Sequence, residues 1–143
     1  MPNIRRHARV PYSAAQMFDL VNDVEAYPEF LHWCRGARVE VSGEGTVDAA
    51  LDIGLGGFYE TFKTRNTLDR PHRIGITLKS GPLRRLEGAW KFADSADGGA
   101  DVELVLDYEV SHSPLGVVFA TVFEEVARSQ MKAFVRRAEH VYG

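Results

Sequence analysis

Hydrophobic and polar residues alternate with different periods along this chain, and the changes of period divide it into segments. Residues 3–10 alternate apolar and charged side chains, which predicts a strand with one solvated face. Ser13 is a suitable N-cap for a helix that runs to Val21 with apolar residues at helical spacing. Residues 23–31 predict a second short helix, because a proline near their middle limits how far a helix can extend.

From Ala37 to Val110 the period is two, and short turn sequences interrupt it. Each segment between turns carries apolar side chains at alternate positions, which indicates a strand with one buried face. The breaks fall at residues 43–45, 56–57, 70–71, 81–82 and 95–100, where glycine, proline or small polar residues favour turns. The pattern therefore predicts about six successive strands joined as hairpins.

The last part of the chain returns to helical spacing. Ser113 as cap and Pro114 in the first turn open a helix whose broad apolar face continues to about Val141. A helix of that length needs an equally long apolar surface to cover, and the sheet is the available one. We therefore predict an α+β fold in which a curved antiparallel sheet of about seven strands surrounds a long C-terminal helix.

Composition adds limits to this picture. The chain has 143 residues, of which 45% are hydrophobic, so we expect one domain spanning residues 1–143. A net charge of −3 gives no support to DNA binding. The single cysteine, Cys34, excludes an internal disulfide and favours a reducing compartment. Without an apolar run behind the N-terminal arginines, we expect no signal peptide and a cytoplasmic protein.

Polar side chains form no recognisable catalytic or metal-binding motif. The five histidines have no metal-ligand spacing with one another, with Cys34 or with a carboxylate, and phosphate-binding and nucleophile-elbow motifs are absent from the sequence. His32 and Cys34 lie two residues apart and would share a face in an extended segment, as a thiolate pair requires. A buried thiol beside a surface histidine is the simpler interpretation. We expect no catalytic residue, no metal and no cofactor.

Large apolar side chains are concentrated on the inward rows. A helix does not fill a curled sheet completely, so these side chains either form a solid core or line a cavity between sheet and helix. The candidate ligand-binding residues are Phe18, Tyr27, Phe30, Trp33, Phe58, Phe62, Leu78, Leu86, Trp90, Phe92, Leu106, Phe119 and Phe123. Gly88 lies on the same row, where it either leaves space or lets the sheet bend.

Basic residues recur along the last helix. Arg128, Lys132 and Arg136 follow one another at intervals of four, with Arg137 adjacent, and a second group of arginines lies in the first strand at positions 5, 6 and 9. Such a row suits anionic lipid headgroups or RNA phosphates, and it is equally typical of a solvated helix face.

Several runs together resemble one known family. The run VEAYPEFLHWC at residues 24–34 resembles a signature of the coenzyme Q-binding, polyketide cyclase-like branch of the START superfamily. The runs FKTRNTL at 62–68 and GPLRRLEGAWKF at 81–92 agree with it, as does the terminus at 134–143. Two positions depart from the family pattern: Leu83 replaces an aromatic residue, and His32 stands where proline is common. We place both in loop or edge segments near the mouth of the cavity.

The resemblance implies a single START-like domain with a helix-grip fold and a hydrophobic tunnel. In quinone-binding members the tunnel takes ubiquinone, so the first hypothesis is noncatalytic binding and delivery of a polyisoprenoid quinone or similar lipid in support of respiration. A head group needs one or two hydrogen-bond donors near the mouth of the tunnel, for which Tyr27, Arg65 and Asn66 are candidates. A peripheral contact with the inner membrane fits this role.

Two other functions remain open. Bacterial ribosome-association toxins belong to the same family, and a protein of that kind would bind the large ribosomal subunit through its basic residues and block subunit association. A polyketide cyclase or aromatase would instead need an acid or base inside the cavity. The assigned inward rows are almost wholly apolar.

Overall fold

The fold is a single antiparallel sheet with a long helix across it, as seen in a computed structural model that describes residues 3–143. The predicted domain also includes Met1 and Pro2, which lie outside the described residues. The strands are β1 (Asn3–Val10), β2 (Cys34–Gly43), β3 (Thr46–Leu55), β4 (Phe58–Asp69), β5 (Arg73–Ser80), β6 (Leu83–Asp94) and β7 (Ala100–Val110). The helices are α1 (Ala14–Asn22), a 3-10 helix (Val24–Glu29) and α2 (Pro114–Tyr142).

The sheet has the order β1-β7-β6-β5-β4-β3-β2, and every neighbouring pair is antiparallel. Strands β2 to β7 are consecutive hairpins, as the turn sequences predict, while β1 pairs with the last strand. Register shifts interrupt the pairing of β2 with β3, β4 with β5 and β6 with β7. Such irregularities increase local twist and bend a sheet, which helps it to curve around a helix.

The two short helices begin where the sequence indicates. Ser13 caps α1: its hydroxyl accepts a hydrogen bond from the Gln16 backbone N–H, and the Gln16 side chain accepts one from the Ser13 backbone N–H. The second predicted helix is a 3-10 helix that contains Pro28. Together these helices cover the end of the concave face beside α2.

Helix α2 lies across the concave face and buries its apolar side. Its 29 residues correspond to about 44 Å, and Ser113 caps it with Pro114 in the first turn, as predicted. Phe134 is fully buried, with its ring centroid 5.2 Å from those of Tyr27, Phe30 and Trp90. The predicted α+β helix-grip architecture is confirmed.

Three details differ from or refine the sequence predictions. Strand β2 begins at Cys34 rather than Ala37, because a register shift between Cys34 and Gly36 hides the start of its alternation. Leu83 is buried at the start of β6, an interior strand, so placing it in a loop or edge segment was wrong. A Cβ on Gly88 would lie 2.2 Å from the Val105 carbonyl oxygen, so this glycine permits close strand approach rather than leaving space.

Candidate functional site

An internal cavity lies between α2, the 3-10 helix and the concave face of the sheet, with a volume of about 70 Å³. Apolar side chains from all three regions wall it, among them Val24 from the 3-10 helix, Ile53 and Ile74 from the sheet, and Val126 and Ala127 from α2. A water molecule occupies about 30 Å³ in the liquid, so this space holds about two. Ligand pockets usually measure several hundred Å³, so side chains fill most of the space between sheet and helix.

The structure divides the thirteen predicted lining residues. Those on the cavity wall are Tyr27, Trp33, Phe62, Leu86, Trp90, Leu106 and Phe123, and their role in ligand binding stays a prediction. The others lie elsewhere: Phe18 packs edge-on against Phe92 at 5.8 Å, Phe58 packs on Phe119 at 5.6 Å, Leu78 is half-buried beside the core, and Phe30 faces an external groove. Parity places a side chain on the concave face but does not separate cavity wall from solid core.

Ring packing explains why the cavity is small. The centroid of Phe123 lies 4.8 Å from that of Tyr108 and 5.8 Å from that of Phe62. Phe119 continues this cluster with Phe62 at 6.1 Å. Contacts of this kind stabilise the apolar core beyond the burial of surface area alone.

Three polar side chains reach the cavity. Thr64, Asn66 and Gln130 line it, and the Thr64 hydroxyl donates a hydrogen bond to Asn66 Oδ1 at 3.0 Å. Asn66 therefore lines the cavity, and its role as a head-group donor stays a prediction, whereas Thr64 and Gln130 were not singled out as site residues. Thr64 could have been found because it shares strand parity with Phe62. Gln130 could have been found because it lies at helical spacing from Phe123 and Val126.

The other two predicted head-group donors are engaged elsewhere. The Tyr27 hydroxyl donates to the backbone carbonyl of Val21, and burial raises the pKa of this phenol. Arg65 lies on the opposite face of the sheet, where its guanidinium binds Asp48 at 2.8 Å. Assigning Arg65 to the cavity was wrong, since it has the opposite strand parity from Thr64 and Asn66.

A polar network on this outer face was not predicted from the sequence. Asp48 is buried, and the hydrogen bonds from Arg65 and from Lys79, at 2.7 Å, hold the pKa of its carboxyl well below the usual range. Asp52 binds Arg38 at 2.8 Å and accepts a hydrogen bond from Thr61 at 2.8 Å. These long basic side chains cover the carboxylates, so residues in outward register are still buried.

An external groove of about 680 Å³ lies on the other side of the 3-10 helix. The second half of α2 forms one wall, and residues near the end of the 3-10 helix form the other. The lining residues are Glu29, Phe30, His32, Trp33, Glu125, Arg128, Ser129, Lys132, Ala133, Arg136, Arg137 and His140. All four residues of the predicted basic row therefore face one recess.

Charges in this groove are only partly balanced. Arg128 pairs with Glu124 at 2.8 Å, as the helical spacing suggests, and Arg137 pairs with Glu29 at 3.1 Å. Lys132 and Arg136 form no ion pair with any residue in the described chain. Arg137 departs from a simple surface row, because its side chain is 18% exposed and its guanidinium carbon lies 5.0 Å above the Phe30 ring.

Trp33 belongs to both recesses, since it lines the internal cavity and the external groove. It is 2% exposed, and its indole Nε1 has no hydrogen-bond partner among residues 3–143. The Nε of Arg137, which lines the groove, is the other buried side-chain nitrogen in the described residues without a partner. Buried donors are normally paired, so each of these is unusual.

His32 and Cys34 do not form a nucleophilic pair. Cys34 is buried and its thiol donates to the Gly36 carbonyl at 3.3 Å, whereas His32 is exposed in the groove. Burial raises the pKa of the Cys34 thiol to about 11, which keeps it protonated at neutral pH. Within residues 3–143 no group of three or more His, Cys, Asp or Glu side chains is arranged to hold a metal ion.

The arginines of β1 are mostly engaged by neighbouring carboxylates. Arg5 binds Glu103 at 3.2 Å and Arg9 binds Asp97 at 3.1 Å. In the part of the chain that the structure describes, no helix is both long and apolar enough to span a bilayer.

Solved structures share the whole architecture. The Zhui aromatase/cyclase of Streptomyces sp. R1128 superposes with a TM-score of 0.86 at 15% identity, covering 99% of this chain and 96% of that one. A START superfamily protein from Mycobacterium smegmatis has a TM-score of 0.80 at 20% identity, with 97% and 98% of the two chains covered. At identities of 15% and 20%, this similarity shows a shared fold and carries no statement about function.

Sequence relatives extend the resemblance. The ribosome association toxin RatA of Escherichia coli K12 is 42% identical over 142 residues, 99% of this chain and 90% of the relative. The coenzyme Q-binding protein COQ10 homolog B of Xenopus laevis is 31% identical over 140 residues, 92% of this chain and 56% of the relative. Residues 10–135 match the family described as polyketide cyclase / dehydrase and lipid transport. The chain therefore belongs to this family.

Proposed function

We propose that this protein binds and delivers ubiquinone, another polyisoprenoid quinone or a similar lipid, without altering it chemically, in support of respiratory electron transport. The observation that carries the proposal is the apolar cavity between α2 and the sheet, whose walls come from both layers. The similarity to a coenzyme Q-binding protein supports the same ligand class. The protein would act in the cytoplasm, with peripheral contact at the inner membrane.

An apolar wall supplies enough affinity for such a ligand. Burial of apolar surface contributes about 25 cal/mol per Å², so a tail that buries about 300 Å² gains about 7 kcal/mol before the cost of ordering it. A cavity of about 70 Å³ must widen to accept a tail. The widening requires α2 or the 3-10 helix to shift relative to the sheet.

The polar groups in the cavity favour binding over catalysis. Thr64, Asn66 and Gln130 carry a hydroxyl and two amides, none of which exchanges a proton near neutral pH. The raised pKa of Tyr27 keeps its phenol protonated, and its hydroxyl is already donated to a backbone carbonyl. A cyclase or aromatase would need a general acid or base in this space. These features support a carrier rather than an enzyme.

Extraction and direct binding test the carrier proposal. Purified protein is extracted with organic solvent, the extract is analysed for quinones and other lipids, and the lipid-free protein is titrated with ubiquinone. We expect a copurifying lipid or saturable ubiquinone binding. Absence of both would reject the carrier function.

Ribosome association is a second candidate, favoured by the uncompensated cations of the groove. Lys132 and Arg136 lack ion-pair partners in the described chain, and phosphate groups are suitable counterions. A relative with 42% identity is a ribosome association toxin. In this role the protein would bind the large ribosomal subunit and block its association with the small subunit. The contacting residues would be Arg128, Lys132, Arg136 and Arg137.

Sucrose-gradient profiling after overexpression tests this candidate. The expected result is a smaller peak of assembled ribosomes, restored by the double variant Lys132→Glu/Arg136→Glu. An unchanged peak at expression levels that stop growth would reject it.

A further inference from the structure

Trp33 forms part of the wall of both the groove and the cavity, and the side chains here carry unused hydrogen-bonding capacity. The Trp33 Nε1 and Arg137 Nε atoms are both N–H donors, both are buried, and neither has an acceptor among residues 3–143. Both side chains line the groove. A buried donor without an acceptor costs free energy, so two of them near one recess indicate that an acceptor is missing.

From these contacts we infer that the groove beside Trp33 is the head-group site of the carried lipid, with oxygen acceptors that take hydrogen bonds from Trp33 Nε1 and Arg137 Nε. This inference rests on the carrier function proposed above. It assigns the head group to the groove side of Trp33 and the tail to the cavity side. Tyr27, Arg65 and Asn66 then have no part in recognising the head group.

Volume supports this division of the ligand. The cavity of about 70 Å³ must widen even for a tail, whereas the groove of about 680 Å³ already has the size that small-molecule sites have, so the bulkier ring fits the groove better. Trp33 is the aromatic residue common to both linings. A ligand that spans the two recesses therefore passes along its indole ring.

The surroundings suit a flat ring bearing carbonyl oxygens. Phe30 and Trp33 both line the groove, and a planar ring could stack on Phe30 in place of the Arg137 guanidinium that lies over it. Quinone carbonyls accept hydrogen bonds and donate none, which matches two unpaired N–H groups.

Two contacts hold the Arg137 side chain against the end of the 3-10 helix. The Arg137 guanidinium lies over the Phe30 ring at 5.0 Å and binds Glu29 at 3.1 Å. Glu29 and Phe30 belong to the end of the 3-10 helix and the residue that follows it. A displacement of this end would free the Arg137 side chain to turn toward a ligand in the groove.

Equilibrium binding to defined probes tests the inference. The probes are a short-chain ubiquinone and an isoprenoid hydrocarbon of the same chain length, which has a tail but no oxygen. The variants are Trp33→Phe, which keeps a ring but removes the N–H, and Arg137→Lys, which keeps the charge but removes Nε. The matched controls are Trp90→Phe, on the cavity wall only, and Arg136→Lys, in the groove.

We expect Trp33→Phe and Arg137→Lys each to weaken ubiquinone binding by about 3- to 10-fold, the effect of losing one hydrogen bond. Their affinity for the hydrocarbon, and the affinity of Arg136→Lys for ubiquinone, should stay within about twofold of the wild type. Trp90→Phe should change the affinity for both probes by the same factor, since it alters only the tail site.

Two outcomes separate this inference from the function on which it rests. If Trp33→Phe and Arg137→Lys both bind ubiquinone as well as the wild type does, the proposed head-group site is wrong while the carrier function stands. If the wild type binds neither probe, the carrier function itself fails. Thermal unfolding of each variant verifies folding, and Arg137→Lys decides the question if Trp33→Phe does not fold.

Discussion

Cys34 illustrates how burial sets the chemistry of one residue. Its raised pKa of about 11, against 9.0 for a free thiol, means that the unfolded chain loses this proton at lower pH than the folded protein. The stabilisation is complete below pH 9 and is lost as the pH rises through 11. We expect the free energy of unfolding to fall by about 2 kcal/mol over this range because of Cys34 alone.

Urea unfolding of the wild type and Cys34→Ala at a series of pH values measures this contribution. The difference in unfolding free energy between the two proteins should shrink as the pH rises from neutral to 11. A constant difference across this range would show that the thiol titrates alike in both states. Taking the difference removes the titration of tyrosines and lysines common to both proteins.

Substitution of Gly88 tests how closely the backbones of β6 and β7 approach each other. The Cβ of Gly88→Ala would lie 2.2 Å from the Val105 carbonyl oxygen, so β6 and β7 must separate locally. We expect a loss of about 1–3 kcal/mol in the free energy of unfolding, measured by urea denaturation. The control is Gly43→Ala, whose nearest neighbour would be Thr46 Oγ1 at 3.4 Å and which should change stability by less than about 0.5 kcal/mol. Equal effects of the two changes would argue against the close approach.

The sequence predicted which face of the sheet a strand side chain points to better than it predicted which residues surround that side chain. Parity correctly placed Phe62 and Trp90 on the concave face, because successive strand side chains point to opposite faces. It did not reveal that Asp48 would be buried, since Arg65 on β4 and Lys79 on β5 reach over it. Contacts between residues far apart in the sequence have no signal in a period of two.

Among the elements, α2 depends most on one anchor. Phe134 is 0% exposed and meets rings from the 3-10 helix region and from the sheet at 5.2 Å. We expect Phe134→Ala to lower the free energy of unfolding by about 3–5 kcal/mol in urea denaturation, through lost burial and a new cavity. Val141→Ala, at a helix position 48% exposed, is the control and should have a small effect. A loss below about 1 kcal/mol at Phe134 would mean that α2 is held mainly elsewhere.

The sequence predicted element type and order because each element carries its own signal. Ser13 and Ser113 are caps, glycines and prolines mark the hairpins, and the change of period marks each transition. The groove carries no comparable signal, since it forms between Glu29 or Phe30 and residues about 100 positions later, such as Arg137. The row of basic residues was visible in the sequence, and its role as one wall of a recess was not.

At the scale of the whole molecule, the two candidate functions share Arg137 in the groove and otherwise depend on different residues. The lipid tail needs the space between α2 and the sheet, whereas ribosome association needs the outward cations of α2. Ala127 is 1% exposed and lines the cavity, while Lys132 and Arg136 are exposed on the groove. Substitutions at these positions can therefore affect the two functions independently.

The change Ala127→Leu should fill the cavity and weaken binding of a short-chain ubiquinone by more than about tenfold, because its added methyl groups occupy the space for the tail. Ribosome profiles should stay as in the wild type. The double variant Lys132→Glu/Arg136→Glu should do the reverse, with ubiquinone affinity within about threefold of the wild type and the effect on ribosomes lost. Titration with ubiquinone and sucrose gradients, run on both variants, measure the two functions side by side. If Ala127→Leu abolishes both ubiquinone binding and the effect on ribosomes, filling the cavity also changes the groove, through the wall that they share at Trp33. The two functions are then not independent.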